Sequence, residues 1–143
     1  MYPWLHESEN VIEKKSKKNT SVALIKSEKI VMKTNNGFEF ININDIIRCR
    51  AEGKNTICYL TNDRVLRIAS LLKKIEDELA AFNFLRIHHT HLVNVNYVFK
   101  YVRIKGKGGA VLMSNGDELQ ISRRKNFNFL KQIYLKNNFL MNN

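Results

Sequence analysis

A short polar island, formed by Arg86 and residues 88–91, interrupts an otherwise apolar stretch over residues 84–98. Apolar side chains flank the island on both sides, a pattern typical of two strands that carry a loop between them. The island offers donors from arginine, histidine and threonine but contains no carboxylate. We therefore expect this loop to contact a negatively charged partner.

A second cationic group, Ser122-Arg123-Arg124-Lys125, lies where the last predicted strand meets the last predicted helix. Ser122 is well placed as an N-cap. Three cations in a first helical turn oppose the helix dipole, so helix stability does not explain them. Contact with phosphates or base edges explains them better, because a helix start also presents free backbone N–H groups. A solvated basic turn is the alternative.

Common catalytic motifs are absent from the sequence: it has no P-loop, no Gly-x-Ser-x-Gly and no His-Glu-x-x-His. His88, His89 and His91 suggest a metal site, since His89 and His91 would share one face of an extended segment. However, no nearby cysteine or carboxylate completes the ligands, and the flanking charge is positive. Residues 106–109 predict a basic hairpin turn rather than a phosphate-binding loop. We predict no catalytic site, metal or cofactor.

The formal net charge is +11 over 143 residues, which favours a nucleic acid first and an anionic membrane surface second. Residues 86–143 hold 10 Lys and Arg against 2 Asp and Glu, whereas residues 1–85 hold 14 against 11. The binding surface should therefore come mainly from the second half. Two packed free cysteines, Cys49 and Cys58, fit a reducing cytoplasm, and no apolar run is long enough to predict a membrane span.

Short strand patterns separated by turn signals dominate the chain after residue 21. Strands are expected at residues 29–33, 38–43, 45–51, 56–61, 64–69, 84–88, 92–98, 101–105, 110–113 and 118–121. One helix, capped by Ser70, is expected to run to about Phe82. A second helix is expected over residues 123–136, with its inward face formed by Phe127, Leu130, Ile133 and Tyr134.

Composition divides the chain into a charged N-terminal tail or linker (residues 1–21), a mostly β domain (residues 22–136) and a disordered Asn-rich tail (residues 137–143). Within the domain, a symmetric hairpin around a four-residue loop at residues 52–55 would place Cys49 opposite Cys58.

The sequence resembles the LytTR DNA-binding domain, the output module of bacterial response regulators of the LytR/AlgR type. The resemblance covers about residues 22–133 and rests on motifs that occur in order: Asp45-Ile46-Ile47, Ala51-Glu52, Ser70-Leu71, Phe84-Leu85-Arg86-Ile87-His88, Leu92-Val93-Asn94, Gly116 and Ser122-Arg123-Arg124. It implies an elongated fold of antiparallel β-sheets, with about ten short strands, one internal helix and one C-terminal helix. It also implies that loops, rather than an inserted helix, read successive major grooves of a bent duplex.

Carried over by position, the resemblance implies base contacts from Lys54, Asn55, His89, Arg123 and Arg124. Phosphate contacts are expected from Arg86, His88, Thr90, Lys105, Lys107, Ser122 and Lys125. The resemblance implies a cytoplasmic, sequence-specific transcription regulator of a bacterial two-component system, with duplex DNA as its partner.

Further partners follow from the same resemblance. A second copy is expected on the adjacent half of a paired direct repeat. Residues 1–21 are too few to form a receiver domain, so we expect either a stand-alone regulator or one whose controlling domain is missing or supplied by a separate receiver or sensor protein.

An RNA-binding or protein-binding β module is the alternative function. Its base-stacking residues would be Tyr97, Phe99, Tyr101 and Arg103. The same residues also fit alternate core positions of strands.

Overall fold

Ten strands and two helices make up the part of the chain that the computed structural model describes, residues 28–137. The strands are β1 (Lys29–Thr34), β2 (Gly37–Asn42), β3 (Ile46–Glu52), β4 (Asn55–Leu60), β5 (Val65–Ile68), β6 (Phe84–His88), β7 (His91–Asn94), β8 (Val98–Ile104), β9 (Gly108–Met113) and β10 (Glu118–Ile121). The helices are α1 (Leu72–Glu78) and α2 (Arg123–Asn137). The predicted mostly β class is confirmed. The predicted N-terminal tail and residues 138–143 lie outside the described residues.

The strands form three antiparallel sheets, in the orders β1-β2, β5-β4-β3-β7-β6 and β10-β9-β8. Turn chemistry sets much of this pairing. Gly53, in the left-handed region at φ +61°, closes the β3–β4 hairpin, and Glu52 pairs with Asn55. The turn is therefore two residues long, shorter than the predicted four-residue loop. Cys49 does face Cys58, and both cysteines are free and buried.

The five-stranded sheet is buried on both faces and forms the middle layer. Ile46 and Cys49 of β3 belong to a first core with β1, β2 and α1, whereas Ile47 belongs to a second core with β9, β10 and α2. In β7 the adjacent residues Leu92 and Val93 are both fully buried, one in each core. Side chains alternate across a strand, so only a sheet covered on both faces buries such neighbours.

The strand predicted over residues 92–98 is interrupted in the structure. β7 ends at Asn94, and a single 3₁₀ turn, Val95–Tyr97, leads directly into β8. The Asn94 side-chain oxygen accepts a hydrogen bond from the Asn96 amide at 3.0 Å, while its amide nitrogen donates to the Ile46 carbonyl at 2.9 Å. This local side-chain bond offers the backbone an alternative to the sheet ladder, which explains the break.

α1 is shorter than predicted, and Ser70 does not cap it. The backbone N-cap is Leu71, with no side-chain cap bond, and the Ser70 carbonyl accepts a hydrogen bond from the buried Thr56 hydroxyl at 2.8 Å. Beyond Glu78 the chain turns back through Asn83, at φ +64°, to enter β6. Residues 79–82, predicted as helix, lie in that turn, although Phe82 still packs against the first core.

α2 spans the predicted residues but buries a different face. Phe127 is 75% exposed and Tyr134 is exposed, so their predicted inward orientation is wrong. Phe129, which does not belong to the predicted inward stripe, is only 2% exposed and lies in the second core beside Leu130 and Ile133. Both stripes have helical spacing, so the docking of α2 on the sheets decided between them.

Candidate nucleic-acid interface

The polar island of the sequence becomes a tight turn. His89 and Thr90 join β6 to β7, and His88 pairs with His91 across the two strands. We call His89 and Thr90 the recognition turn. The segment is therefore not extended, and the predicted shared face of His89 and His91 is wrong. The ring of His88 instead stacks on His89, with centroids 4.5 Å apart.

The β3–β4 turn, at Gly53 and Lys54, lies at the same edge of the central sheet as the recognition turn. This edge is the one formed by the strand ends, not by an outer strand. β3 runs antiparallel to β7, with Arg50 paired to His91. One residue further along β3, the Ala51 amide donates to the Thr90 carbonyl at 2.9 Å. The base-contact residues predicted at Lys54 and Asn55 are thus brought next to the one predicted at His89.

The Ser122 corner, meaning Ser122 and the first turn of α2, is attached to the same edge. The Ser122 amide donates to the Ile87 carbonyl at 2.9 Å, one residue before His88. The Ser122 hydroxyl accepts from the Lys125 amide at 3.3 Å, so the predicted N-cap is confirmed. Arg123 and Arg124 follow the cap directly and are exposed.

The β8–β9 turn at residues 105–107 packs beside the Ser122 corner and is the predicted basic hairpin turn. Gly108, at φ +93°, approaches the corner closely: a Cβ there would lie 3.6 Å from the Arg123 Cα. The Tyr101 hydroxyl also donates to Asn126 Oδ1 of α2 at 2.9 Å. Lys105 and Lys107 are therefore held near Arg123 and are exposed.

These four segments form one surface, which we call the loop surface: the β3–β4 turn, the recognition turn, the β8–β9 turn and the Ser122 corner. Its cations and its most exposed histidine are Lys54, His89, Lys105, Lys107, Arg123, Arg124 and Lys125. Among the described residues, no carboxylate lies within ion-pair distance of any of them. The surface therefore presents uncompensated positive charge.

Arg86 has its donors directed away from solvent. Its Nη1 donates to Glu76 Oε1 at 2.6 Å, its Nε to the His88 carbonyl at 3.0 Å and its Nη2 to the His89 carbonyl at 2.7 Å. The side chain is only 16% exposed. Arg86, a predicted phosphate contact, is therefore bonded instead to the carbonyls of His88 and His89 and to Glu76 of α1.

The histidines beside the recognition turn differ in their electrostatics. Burial, followed by the charges of Arg48 and His88, lowers the pKa of His91 to about 4, so this ring is neutral at physiological pH. Burial and the nearby His89 and Arg86 also lower the pKa of His88. The Thr90 amide donates to His88 Nδ1 at 3.2 Å. The same Nδ1 lies 2.9 Å from the Thr90 hydroxyl oxygen, so both polar contacts of this ring nitrogen are made by Thr90.

Two arginines beneath the recognition turn were not identified from the sequence. Arg48 is buried: its Nε donates to Asp117 Oδ2 at 2.8 Å, and its guanidinium lies 3.9 Å from the centroid of the Tyr59 ring. Arg50 Nε donates to the Tyr59 hydroxyl at 3.1 Å. No local pattern marks these residues, because Arg48 and Asp117 are 69 positions apart.

The remaining features of the described residues point to no other site. A small cavity of about 180 Å³ lies between β2 and the turn from β4 to β5, lined in part by Asp45 and Arg64. Residues 28–137 contain no group of three metal-ligating side chains. Neither described helix has the length and apolar character needed to cross a membrane.

Comparison with known proteins agrees with this architecture. A solved structure of the LytTr DNA-binding domain of a methyl-accepting/DNA response regulator from Bacillus cereus matches with a TM-score of 0.61 at 20% identity. The match covers 76% of this chain and 96% of that one. A comparison with curated proteins found no significant match. The family model for the LytTr DNA-binding domain matches residues 36–134. The chain therefore belongs to the LytTr DNA-binding domain family.

Proposed function

We propose that this protein is a transcription regulator that binds duplex DNA sequence-specifically through the loop surface. One observation carries the proposal: four exposed basic segments, distant in sequence, meet at one edge of a rigid sheet without a compensating carboxylate. Phosphate neutralisation by such a surface provides affinity for any duplex. Backbone ladders and the α2 cap hold the segments in place, so their side chains are preorganised for a fixed DNA register.

Polar side chains of the loop surface, together with the adjoining Asn55, are the proposed base readers. Arg124 is suited to a bidentate contact with guanine O6 and N7, and Asn55 to adenine N6 and N7. His89 would donate to a purine acceptor, with Lys54 and Arg123 beside these readers. They lie in turns or at the first residues of β4 and α2. We therefore propose that loops and the adjoining strand and helix ends, rather than the length of an inserted helix, enter the major groove.

The phosphate contacts are proposed to surround these readers. They comprise His88, Thr90, Lys105, Lys107, Ser122 and Lys125. The Ser122 corner adds the free N–H groups at the start of a 15-residue helix, which favour an anion.

The assembly and cellular setting complete the proposal. Two copies would occupy a paired direct repeat. The protein would act in the bacterial cytoplasm, with a receiver or sensor protein as a further partner.

Arg124→Ala and Lys107→Ala separate base reading from phosphate contact. A preferred duplex is first selected with wild-type protein from a random pool, and affinities are then measured at several salt concentrations. Arg124→Ala should cost about 1–3 kcal/mol on the preferred duplex and relax preference at one base pair. Lys107→Ala should weaken preferred and scrambled duplexes alike and reduce the salt slope by about one.

Lys29→Ala is the matched control, because Lys29 is an exposed lysine of β1 in a different sheet from the loop surface. It should leave both affinity and salt slope near their wild-type values. An Arg124→Ala protein with unchanged affinity and unchanged base preference would contradict the assignment of that arginine.

The alternative of an RNA-binding platform is less well supported by the structure. Tyr97 and Tyr101 both pack against the second core, so only Phe99 and Arg103 of that group are exposed. Competition between duplex DNA, single-stranded DNA and RNA at matched salt distinguishes the two functions. Stronger competition by RNA than by duplex DNA would favour the alternative.

A further inference from the structure

The recognition turn depends on one guanidinium that lies beneath it. All three nitrogens of Arg86 are engaged: two donate to the consecutive carbonyls of His88 and His89, and the third donates to Glu76 of α1. The two partners are mostly buried, with side chains 16% and 29% exposed. A planar fork of donors matches two carbonyls and a carboxylate at once, which a lysine ammonium on a flexible stem does not.

The position of Arg86 in β6 explains why it meets those carbonyls. Its strand partner is Leu92, which faces the first core, so Arg86 points toward α1 rather than toward the second core. The β6–β7 pairing shifts register between Arg86 and His88, at the point where the strand begins to turn. The turn is held on its other side by the Ala51 amide, which donates to the Thr90 carbonyl.

We propose that Arg86, oriented by Glu76, is a positioning residue for DNA recognition and not a phosphate ligand. It fixes the backbone of His88 and His89 so that the His89 side chain is presented to the base edge. The Arg86–Glu76 pair has no net formal charge and would therefore add little attraction for phosphate. This inference rests on the proposed DNA-binding function of the loop surface.

Glu76→Gln distinguishes the two roles by the sign of its effect. If Arg86 bound phosphate, loss of the Glu76 charge would release the arginine and strengthen binding to every duplex. If Arg86 positions the turn, the same change loosens the orientation of the Arg86 guanidinium and therefore of the turn. We then expect about tenfold weaker binding to the preferred duplex, with scrambled-duplex affinity and salt slope unchanged.

Asp77→Asn is the matched control, because it removes the same charge from the neighbouring position of α1. Asp77 is 63% exposed and forms its ion pair with Lys73, not Arg86. It should bind both duplexes like the wild type. Arg86→Lys keeps the charge but not the fork, so we expect it to lose discrimination as Glu76→Gln does, whereas a phosphate ligand would tolerate lysine.

The experiment measures binding of the full chain to the preferred and scrambled duplexes at several salt concentrations, together with amide hydrogen exchange. Exchange at Ala51, whose amide is bonded to Thr90, should accelerate in Glu76→Gln and Arg86→Lys but not in Asp77→Asn. Tighter or unchanged binding by Glu76→Gln would overturn the inference, as would an equal loss in Asp77→Asn. A wild-type protein without preference for any duplex would refute the proposed function instead, and the Ala51 exchange would still report whether Arg86 holds the turn.

Discussion

Two phenylalanines of α2, two positions apart, are expected to differ strongly in how much their truncation lowers the free energy of unfolding. Phe129 is 2% exposed and lies in the second core, with its ring centroid 6.0 Å from that of Tyr101. Phe127 is 75% exposed. The Phe129→Ala and Phe127→Ala proteins therefore lose the same atoms from two different environments.

The magnitude follows from these environments. Truncating a buried phenylalanine to alanine costs about 3–5 kcal/mol through lost transfer energy and the cavity left behind. The nearby Tyr101 ring adds a specific contact, so we expect about 4 kcal/mol for Phe129→Ala. Truncation of Phe127 should change the free energy of unfolding by less than about 0.5 kcal/mol, because alanine is also a better helix former.

Urea unfolding at fixed pH, with thermal unfolding as a second measurement, tests this pair. The expected loss for Phe129→Ala corresponds to a midpoint about 10–20 °C lower for a domain of this size. The inward stripe expected from sequence alone included Phe127, so it predicts the reverse order. Equal losses in the two proteins, or a larger loss for Phe127→Ala, would refute the docking of α2 through Phe129.

Two further predictions concern the charged groups beneath the recognition turn. Asp117→Asn leaves the buried Arg48 without its carboxylate. We therefore expect the free energy of unfolding, measured by urea denaturation, to fall by about 1–3 kcal/mol. A loss below about 0.5 kcal/mol would contradict the pairing. For His91, the folded pKa of about 4 lies below the ordinary 6.5, so the unfolded chain binds the proton more readily and stability is lost as pH falls through that window. Between pH 7 and 5 we expect the wild type to lose about 1 kcal/mol more than His91→Gln, after allowance for solvent screening of the partly exposed ring. Equal pH dependence in the two proteins would argue against the lowered pKa.

Features that depend on neighbouring residues could be predicted from the sequence alone. Alternating apolar residues and turn signals indicated the strands, and the β3–β4 hairpin correctly placed Cys49 opposite Cys58. Ser122 was identified as a cap because the bond it makes, to the Lys125 amide, spans only three positions. The strand predicted over residues 92–98 instead ends at Asn94, whose side-chain bond to the Asn96 amide competes with the sheet ladder.

The tertiary structure decided everything that depends on how distant segments dock. Helical spacing allowed either Phe127 or Phe129 to face inward, and only packing against the second core selected Phe129. The sequence identified Arg86 as a cation of the island, but its bond to Glu76 required α1 to lie against β6. The loop surface has the same origin. Residue types and the family motifs marked its segments, and the register of the central sheet, together with the docking of α2 and the β8–β9 hairpin against it, brought them to one edge. Caps and turns depend on residues a few positions apart, so the sequence alone determines them. The contacts of Phe129, of Arg86 with Glu76 and between the segments of the loop surface form only after the layers have packed.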